Sequence, residues 1–203
     1  MIKKLIVTIL SLLSVISCSQ KLNSQNINNN KDNNMNSNTP LPENVKYAYF
    51  SSGCFWGTEY WFEKSKGVVS VVSGYAGGHK VNPTYQEVCT GLTGHLETVR
   101  VAYDPDKTTY EELVKLFFET HDFTQKNGQG PDIGSQYLSA IFYQTPEEKE
   151  IAEKYVQTLR DKKYDVATTI REYKNFYEAE DYHQDYYARK GAIPYCHFYT
   201  KIF

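Results

Sequence analysis

Cys54 sits in the stretch GCFWG (53–57), flanked by two glycines and followed directly by Phe55 and Trp56. A reactive thiol must be reachable, whereas large aromatics normally belong in a core. Lys46 to Phe50 reads as a strand, and Thr58 to Lys66 reads as a helix. Cys54 therefore falls at a strand-to-helix turn. The first turn of a helix carries unpaired N–H groups and partial positive charge, and both favour a thiolate. A thiolate there could attack an electrophile, with Gly53 and Gly57 allowing close approach of backbone and substrate. The same residues also suit a small buried cysteine, so this stretch alone leaves both readings open.

The other cysteines narrow the chemistry. The chain has four: Cys18, Cys54, Cys89 and Cys196. None is spaced as CxxC, so a structural zinc site is not expected and no metal is assigned. If Cys18 is lipidated, three remain, and an odd number in an exported domain implies at least one unpaired or transiently paired thiol. Two further segments are rich in polar chemistry. NPTYQEVCTGLTGHLETV (82–99) carries Tyr85, Cys89, His95 and Glu97. GQGPDIGSQYLSAIFY (128–143) carries Asp132 and Tyr137 beside a glycine-rich loop. Read alone, Glu97 on an alternating strand is a solvated face residue, and Cys89 in a helical stretch is a buried one.

The elements that must position these residues are short and interleaved. Val68–Tyr75, His95–Tyr103, Tyr137–Tyr143 and Val166–Ile170 read as further strands. Thr108 with Glu111 three residues on is a helix-start signal, and Tyr110, Leu113, Val114 and Phe117 follow at helical spacing. Thr145-Pro146-Glu147-Glu148 is a second start, opening a helix with Ile151, Ala152, Tyr155, Val156 and Leu159 on one face. Glu180–Arg189 reads as a last helix, followed by an irregular tail. This pattern predicts an α+β fold, a ferredoxin-like plait in which helices cover one face of a sheet.

The N-terminal part is organised differently. Lys3 and Lys4 precede a 12-residue, largely apolar run from Leu5 to Ile16. That run is too short to span a bilayer, and it has the form of an export signal. It ends in Val15-Ile16-Ser17-Cys18, which resembles a bacterial lipobox, with Cys18 as the lipid attachment site. Residues 1–18 are thus expected to be a lipoprotein signal. Residues 19–44 form an asparagine-rich tether: nine of the 18 residues from Lys21 to Asn38 are asparagine. Such a segment cannot bury enough apolar surface to fold, and as a coil it would span about 25–30 Å. The expected location is the membrane surface, on the periplasmic side of the inner or outer membrane. Residues 45–203 are long enough for one domain with a substantial core. The net charge of −2 offers no basic face for nucleic acid.

GCFWG, followed downstream by TGHLE (93–97), resembles the type A peptide methionine sulfoxide reductase family. The resemblance runs on through GYAGG (74–78), VCTG (88–91), YDP (103–105), HD (121–122) and AEDYHQDYY (179–187). It implies reduction of the S epimer of methionine sulfoxide. Cys54 would be the nucleophile, and Phe55 and Trp56 the wall that receives the substrate methyl. Glu97 would be the proton donor to the sulfoxide oxygen, with Tyr85, Tyr137 and Asp132 lining the same pocket. The attack leaves Cys54 as a sulfenic acid, which a second thiol converts to a disulfide. Cys196 in the tail is the candidate for that thiol, although Pro194 stiffens its approach where flexible glycines are commoner in the family. The resemblance implies no bound cofactor and an external thioredoxin-like dithiol as reductant; a monomer is expected. Outside the resemblance, the residues leave open another cysteine-based peroxide reductase or a non-catalytic surface lipoprotein.

Overall fold

The computed structural model describes residues 43–203. The expected signal, Cys18 and nearly all of the tether lie outside the described residues. The fold is a mixed α/β arrangement around a six-stranded sheet. Its strands are β1 (Lys46–Ser52), β2 (Val68–Ala76), β3 (Leu96–Tyr103), β6 (Ser139–Tyr143), β7 (Thr169–Glu172) and β8 (Phe176–Glu178), in the order β7-β6-β1-β3-β2-β8. Only β6 and β7 pair in parallel; every other pair is antiparallel. Two short strands, β4 (Gly128–Gln129) and β5 (Asp132–Ile133), form a separate hairpin.

Strand alternation sorts the sheet into two faces. Ala48, Phe50, Val99 and Val101 join the main core, with α1 (Phe55–Glu63), α3 (Tyr110–Glu119) and α4 (Pro146–Asp161). Phe50 stacks between Phe62 of α1 and Phe117 of α3, at 5.0 and 5.4 Å between ring centroids. Burying a side chain of this size stabilises the fold by about 1.5–3 kcal/mol. Tyr49, Leu96, Ala140 and Phe142 point the other way, into a smaller cluster with Tyr173 and Phe176. Glu97 has the same parity along β3 as Val99 and Val101. It therefore lies on the helix-covered face and is 2% exposed, not solvated as its strand alone suggests.

Several boundaries move from their sequence positions. α1 begins at Phe55 rather than Thr58, which places both aromatics of GCFWG in its first turn. α3 is capped by Thr109, whose hydroxyl accepts from Glu112 N, one residue beyond the expected pair. Tyr137 ends a 3-10 turn (Ser135–Tyr137) ahead of β6 instead of opening the strand. The expected strand Val166–Ile170 is displaced to Thr169–Glu172. Glu180–Arg189 is not one helix. It is a 3-10 turn (Asp181–His183), a break, and a short α5 (Tyr186–Lys190). The break has two causes. Asp185 is left-handed, at φ 52°, and the Gln184 side chain is tied to the sheet edge. Its Oε1 accepts from Ser73 N, and its Nε2 donates to Ser73 O.

Candidate active site

Cys54 is the N-cap of α1; its carbonyl accepts from Gly57 N and Thr58 N. Gly53, at φ 95°, turns the chain from β1 into this helix, and a Cβ there would stand 2.3 Å from Gln129 Cβ. Cys54 is 7% exposed, and its thiol sits at the start of α1, where the Trp56 backbone N–H favours the thiolate.

Glu97 reaches the same helix start from β3. Its Oε2 accepts from Phe55 N at 3.0 Å, a donor that has no partner inside the helix. Burial is the largest influence on this carboxyl and lifts it to about 8; the Phe55 N–H opposes that, and the charges of Asp132 and Cys196 add to it. Glu97 is thus a carboxylic acid at neutral pH, held at the entry to the helix that Cys54 caps. Tyr85, the first residue of α2 (Tyr85–Cys89), and Tyr137 both feel the Glu97 charge, and Tyr85 also feels Tyr137. Burial, and then that charge, raise both phenols, so they remain hydrogen donors. Cys89, read from sequence as buried, is half-buried at the end of α2, and its thiol is hydrogen-bonded to the Tyr85 hydroxyl.

The two aromatics after Cys54 play different parts. Phe55 is 1% exposed and belongs to the main core. Trp56 is half-buried and stacks flat on Tyr186, with centroids 3.7 Å apart and planes 5° from parallel. Its Nε1 donates to His183 Nδ1 at 3.1 Å. Trp56 therefore presents the accessible apolar surface, and Phe55 backs it at 6.2 Å.

The tail is docked rather than loose. Cys196 is 4% exposed, its carbonyl accepts from Gln129 Nε2, and its thiol is hydrogen-bonded to that of Cys54. Further on, Thr200 N donates to Glu119 O, and Ile202 N and Phe203 N both donate to Glu119 Oε1. Pro194 does not keep Cys196 from Cys54. The two sulfurs titrate as a unit. Hydrogen bonding from Cys54, with help from His197, draws Cys196 well below the usual thiol range. The shared proton, and then burial, push Cys54 up. The first proton is therefore lost from the Cys196 side of the pair. Asp132 lies beside it, with its carboxylate 3.3–3.4 Å from the Tyr195 hydroxyl. Burial, and then the Cys196 charge, raise Asp132 to about 6.

Comparison with known proteins decides the family. Residues 46–203 match the family model described as peptide methionine sulfoxide reductase. The chain belongs to the peptide methionine sulfoxide reductase family. A peptide methionine sulfoxide reductase MsrA of Sulfolobus acidocaldarius is 49% identical over 154 residues, covering 75% of this chain and 87% of the relative. Mxr1 from Saccharomyces cerevisiae in reduced form superimposes with a TM-score of 0.72 at 35% identity, covering 78% of this chain and 94% of Mxr1. Mxr1 in complex with Trx2 superimposes with a TM-score of 0.53 at 28% identity, covering 81% and 96%.

The family motifs quoted from the sequence gather at one place: GCFWG, TGHLE and the loop holding Asp132 and Tyr137 all meet the Cys54–Cys196 pair. The supporting residues of AEDYHQDYY were not legible one by one. Glu180 accepts from Tyr85 N and from the Tyr75 hydroxyl, both at 2.9 Å, and His183 and Tyr186 hold Trp56. Their residue types were visible; their partners, a hundred residues away, were not. Among the described residues, Glu59, Glu63 and Asp185 bring carboxylate oxygens within 4.8 Å of one another. Burial, reinforced by repulsion among these carboxylates, lifts Glu59 to about 7 and Glu63 to about 8.

Proposed function

We propose that this chain reduces the S epimer of methionine sulfoxide to methionine, with a thioredoxin-like dithiol as the final donor. The observation that carries this reading is the contact between three groups at one helix start. They are the Cys54 sulfur, the Cys196 sulfur beside it, and the buried Glu97 carboxyl that accepts from the next N–H.

The chemistry follows from those groups. The proton shared by the two thiols passes to Cys196, leaving Cys54 as thiolate under the Trp56 N–H. Its lone pair attacks the sulfoxide sulfur while Glu97, with Tyr85 and Tyr137, protonates the oxygen. Methionine leaves two electrons richer, and Cys54 holds the oxygen as a sulfenic acid. Trp56, backed by Phe55, receives the substrate methyl by dispersion and area burial. Asp132 orders the pocket rim through Tyr195. Cys196 then displaces hydroxide from Cys54, and the resulting disulfide is opened by the external dithiol. The electrons come from thiols throughout, so no prosthetic group is needed. The existence of an Mxr1–Trx2 complex supports the choice of donor. A groove of about 450 Å³ lined by Gln129, Tyr195, Cys196 and Phe198 gives it a place to approach.

The deciding assay is epimer-resolved reduction of a blocked methionine sulfoxide with dithiothreitol. Loss of the S epimer alone is expected; loss of the R epimer, or of neither, refutes the reading. One turnover without reductant should leave a Cys54–Cys196 disulfide on peptide mapping, whereas a Cys54–Cys89 bridge or a lasting sulfenic acid would remove Cys196 from the cycle.

The architecture and location belong to the same proposal. The order β6-β1-β3-β2, all antiparallel, with α1 between β1 and β2 and α3 between β3 and β6, supports a ferredoxin-like plait as the core. We place the enzyme as a monomer outside the cytoplasm, tethered through lipidated Cys18. The charged start, the apolar run and the residues before Cys18 support that reading. Cys18→Ala is expected to abolish lipid labelling; unchanged labelling refutes the anchor.

A further inference from the structure

His197 follows Cys196 directly and is 1% exposed. Its ring lies against Gly57, where an added Cβ would stand 2.2 Å from Nδ1. The second glycine of GCFWG thus makes room for an imidazole. That ring is fixed at both nitrogens. Nε2 lies 2.7 Å from Ser52 O, and a carbonyl can only accept, so Nε2 carries the hydrogen. When the shared proton has passed to Cys196, Nδ1 presents its lone pair to that S–H, 3.1 Å from Cys196 Sγ. The tautomer, the distance and the burial together describe a base held against one thiol.

We propose that His197 is the catalytic base of the resolving step, taking the Cys196 proton as that sulfur attacks Cys54. This rests on the reading of Cys196 as the resolving thiol. The step balances as thiol plus sulfenic acid giving disulfide plus water. Cys196 S–H ionises to His197 Nδ1, and the Cys196–Cys54 bond forms as the Cys54–oxygen bond breaks. The departing hydroxide takes up a proton from the imidazolium. Cys196 sulfur is oxidised and Cys54 sulfur reduced by the same amount.

Other titratable groups face this pair: Cys54, Glu97, Asp132, His121, Tyr187 and Tyr195. None is held against the Cys196 sulfur as His197 is. Burial drives His121 down to about 3, and its Nδ1 and Nε2 are taken up by Phe117 O and Ser139. Glu97 is protonated up to about 8, and burial raises both tyrosines. Asp132 turns negative above about 6 and also hydrogen-bonds Cys196, but its carboxylate is half-exposed and shared with the Tyr195 hydroxyl, whereas His197 is buried and fixed at both nitrogens.

The test uses His197→Gln, whose amide can still donate to Ser52 O but offers no base. The full chain is given one equivalent of methionine sulfoxide without reductant, and the rate of disulfide closure is followed from pH 6 to pH 9. Closure in the variant should be slower at pH 7 by on the order of 10²-fold, with the deficit shrinking toward pH 9 as Cys196 ionises unaided. Methionine release in the same turnover should fall far less. Equal closure rates in the two proteins, or a deficit constant with pH, overturn the proposal. If the wild type forms no Cys54–Cys196 disulfide, both the resolving role of Cys196 and this proposal fall. A second measurement leaves His197 intact. In Cys54→Ser, where the largest influence on Cys196 is removed, peptide-resolved alkylation of Cys196 against pH should still titrate below the ordinary thiol value of about 8.5, through the His197 contact that remains. Titration at or above that value overturns the assignment.

Discussion

Cys54→Ser is expected to reduce turnover by at least about 10⁴-fold, the scale on which removal of a covalent nucleophile acts. A serine hydroxyl is close in size to the thiol and sits at the same α1 N-cap, so the site keeps its shape. It is not ionised at neutral pH, however, and the helix terminus cannot lower its pKa far enough. The sulfoxide sulfur then meets no nucleophile, and neither a sulfenic acid nor a disulfide forms. The measurement is methionine release with dithiothreitol in excess, alongside thermal unfolding to show that the fold persists. Residual turnover above about a hundredth of the wild-type rate would move the nucleophile to another thiol. Cys196 is then the first candidate, because its thiol is drawn below the usual range.

Glu97→Gln is expected to cost about 10²–10⁴-fold in the rate of the first reduction, the usual contribution of a positioned general acid. Glutamine can accept the Phe55 N–H through its amide oxygen, so the local structure survives while the proton is lost. The pH dependence gives a sharper check. Burial holds Glu97 at about 8, and the donor is its protonated form. The wild-type chemical step should therefore decline as pH rises through that value, and the variant should lack this limb. Stability follows the same group with a defined sign. Its folded pKa lies above the ordinary glutamate value of about 4.3. Between the two values the folded chain holds a proton that the unfolded chain has released, so the fold loses stability as pH rises across that window. Glutamine does not ionise, and the variant should unfold at a higher temperature than the wild type at pH 9. A loss under about tenfold with the alkaline limb intact would assign the proton to Tyr85, Tyr137 or water.

The amino-acid sequence by itself carried the local decisions. Gly53 before Cys54 marks a turn that only glycine makes easily, and Thr145-Pro146 marks the start of α4; both depend on a few neighbouring backbone groups. The motifs around Cys54, Glu97 and Tyr137 also named the family, because they preserve residue type and spacing. The sequence placed α1 three residues late because Phe55 N finds its partner in Glu97, 42 positions away, and no local pattern records that bond. Glu97 itself shows the limit from the other side. Its shared parity with Val99 and Val101 was present in the strand, yet which face is buried was settled only when α1 packed there. The tail offered still less. Nothing local in PYCHF says that Cys196 meets Cys54, or that His197 fills the space over Gly57. Those contacts join residues about 140 apart, and the energy that selects them comes from burial and from hydrogen bonds to Gln129, Ser52 and Glu119, groups supplied by distant segments.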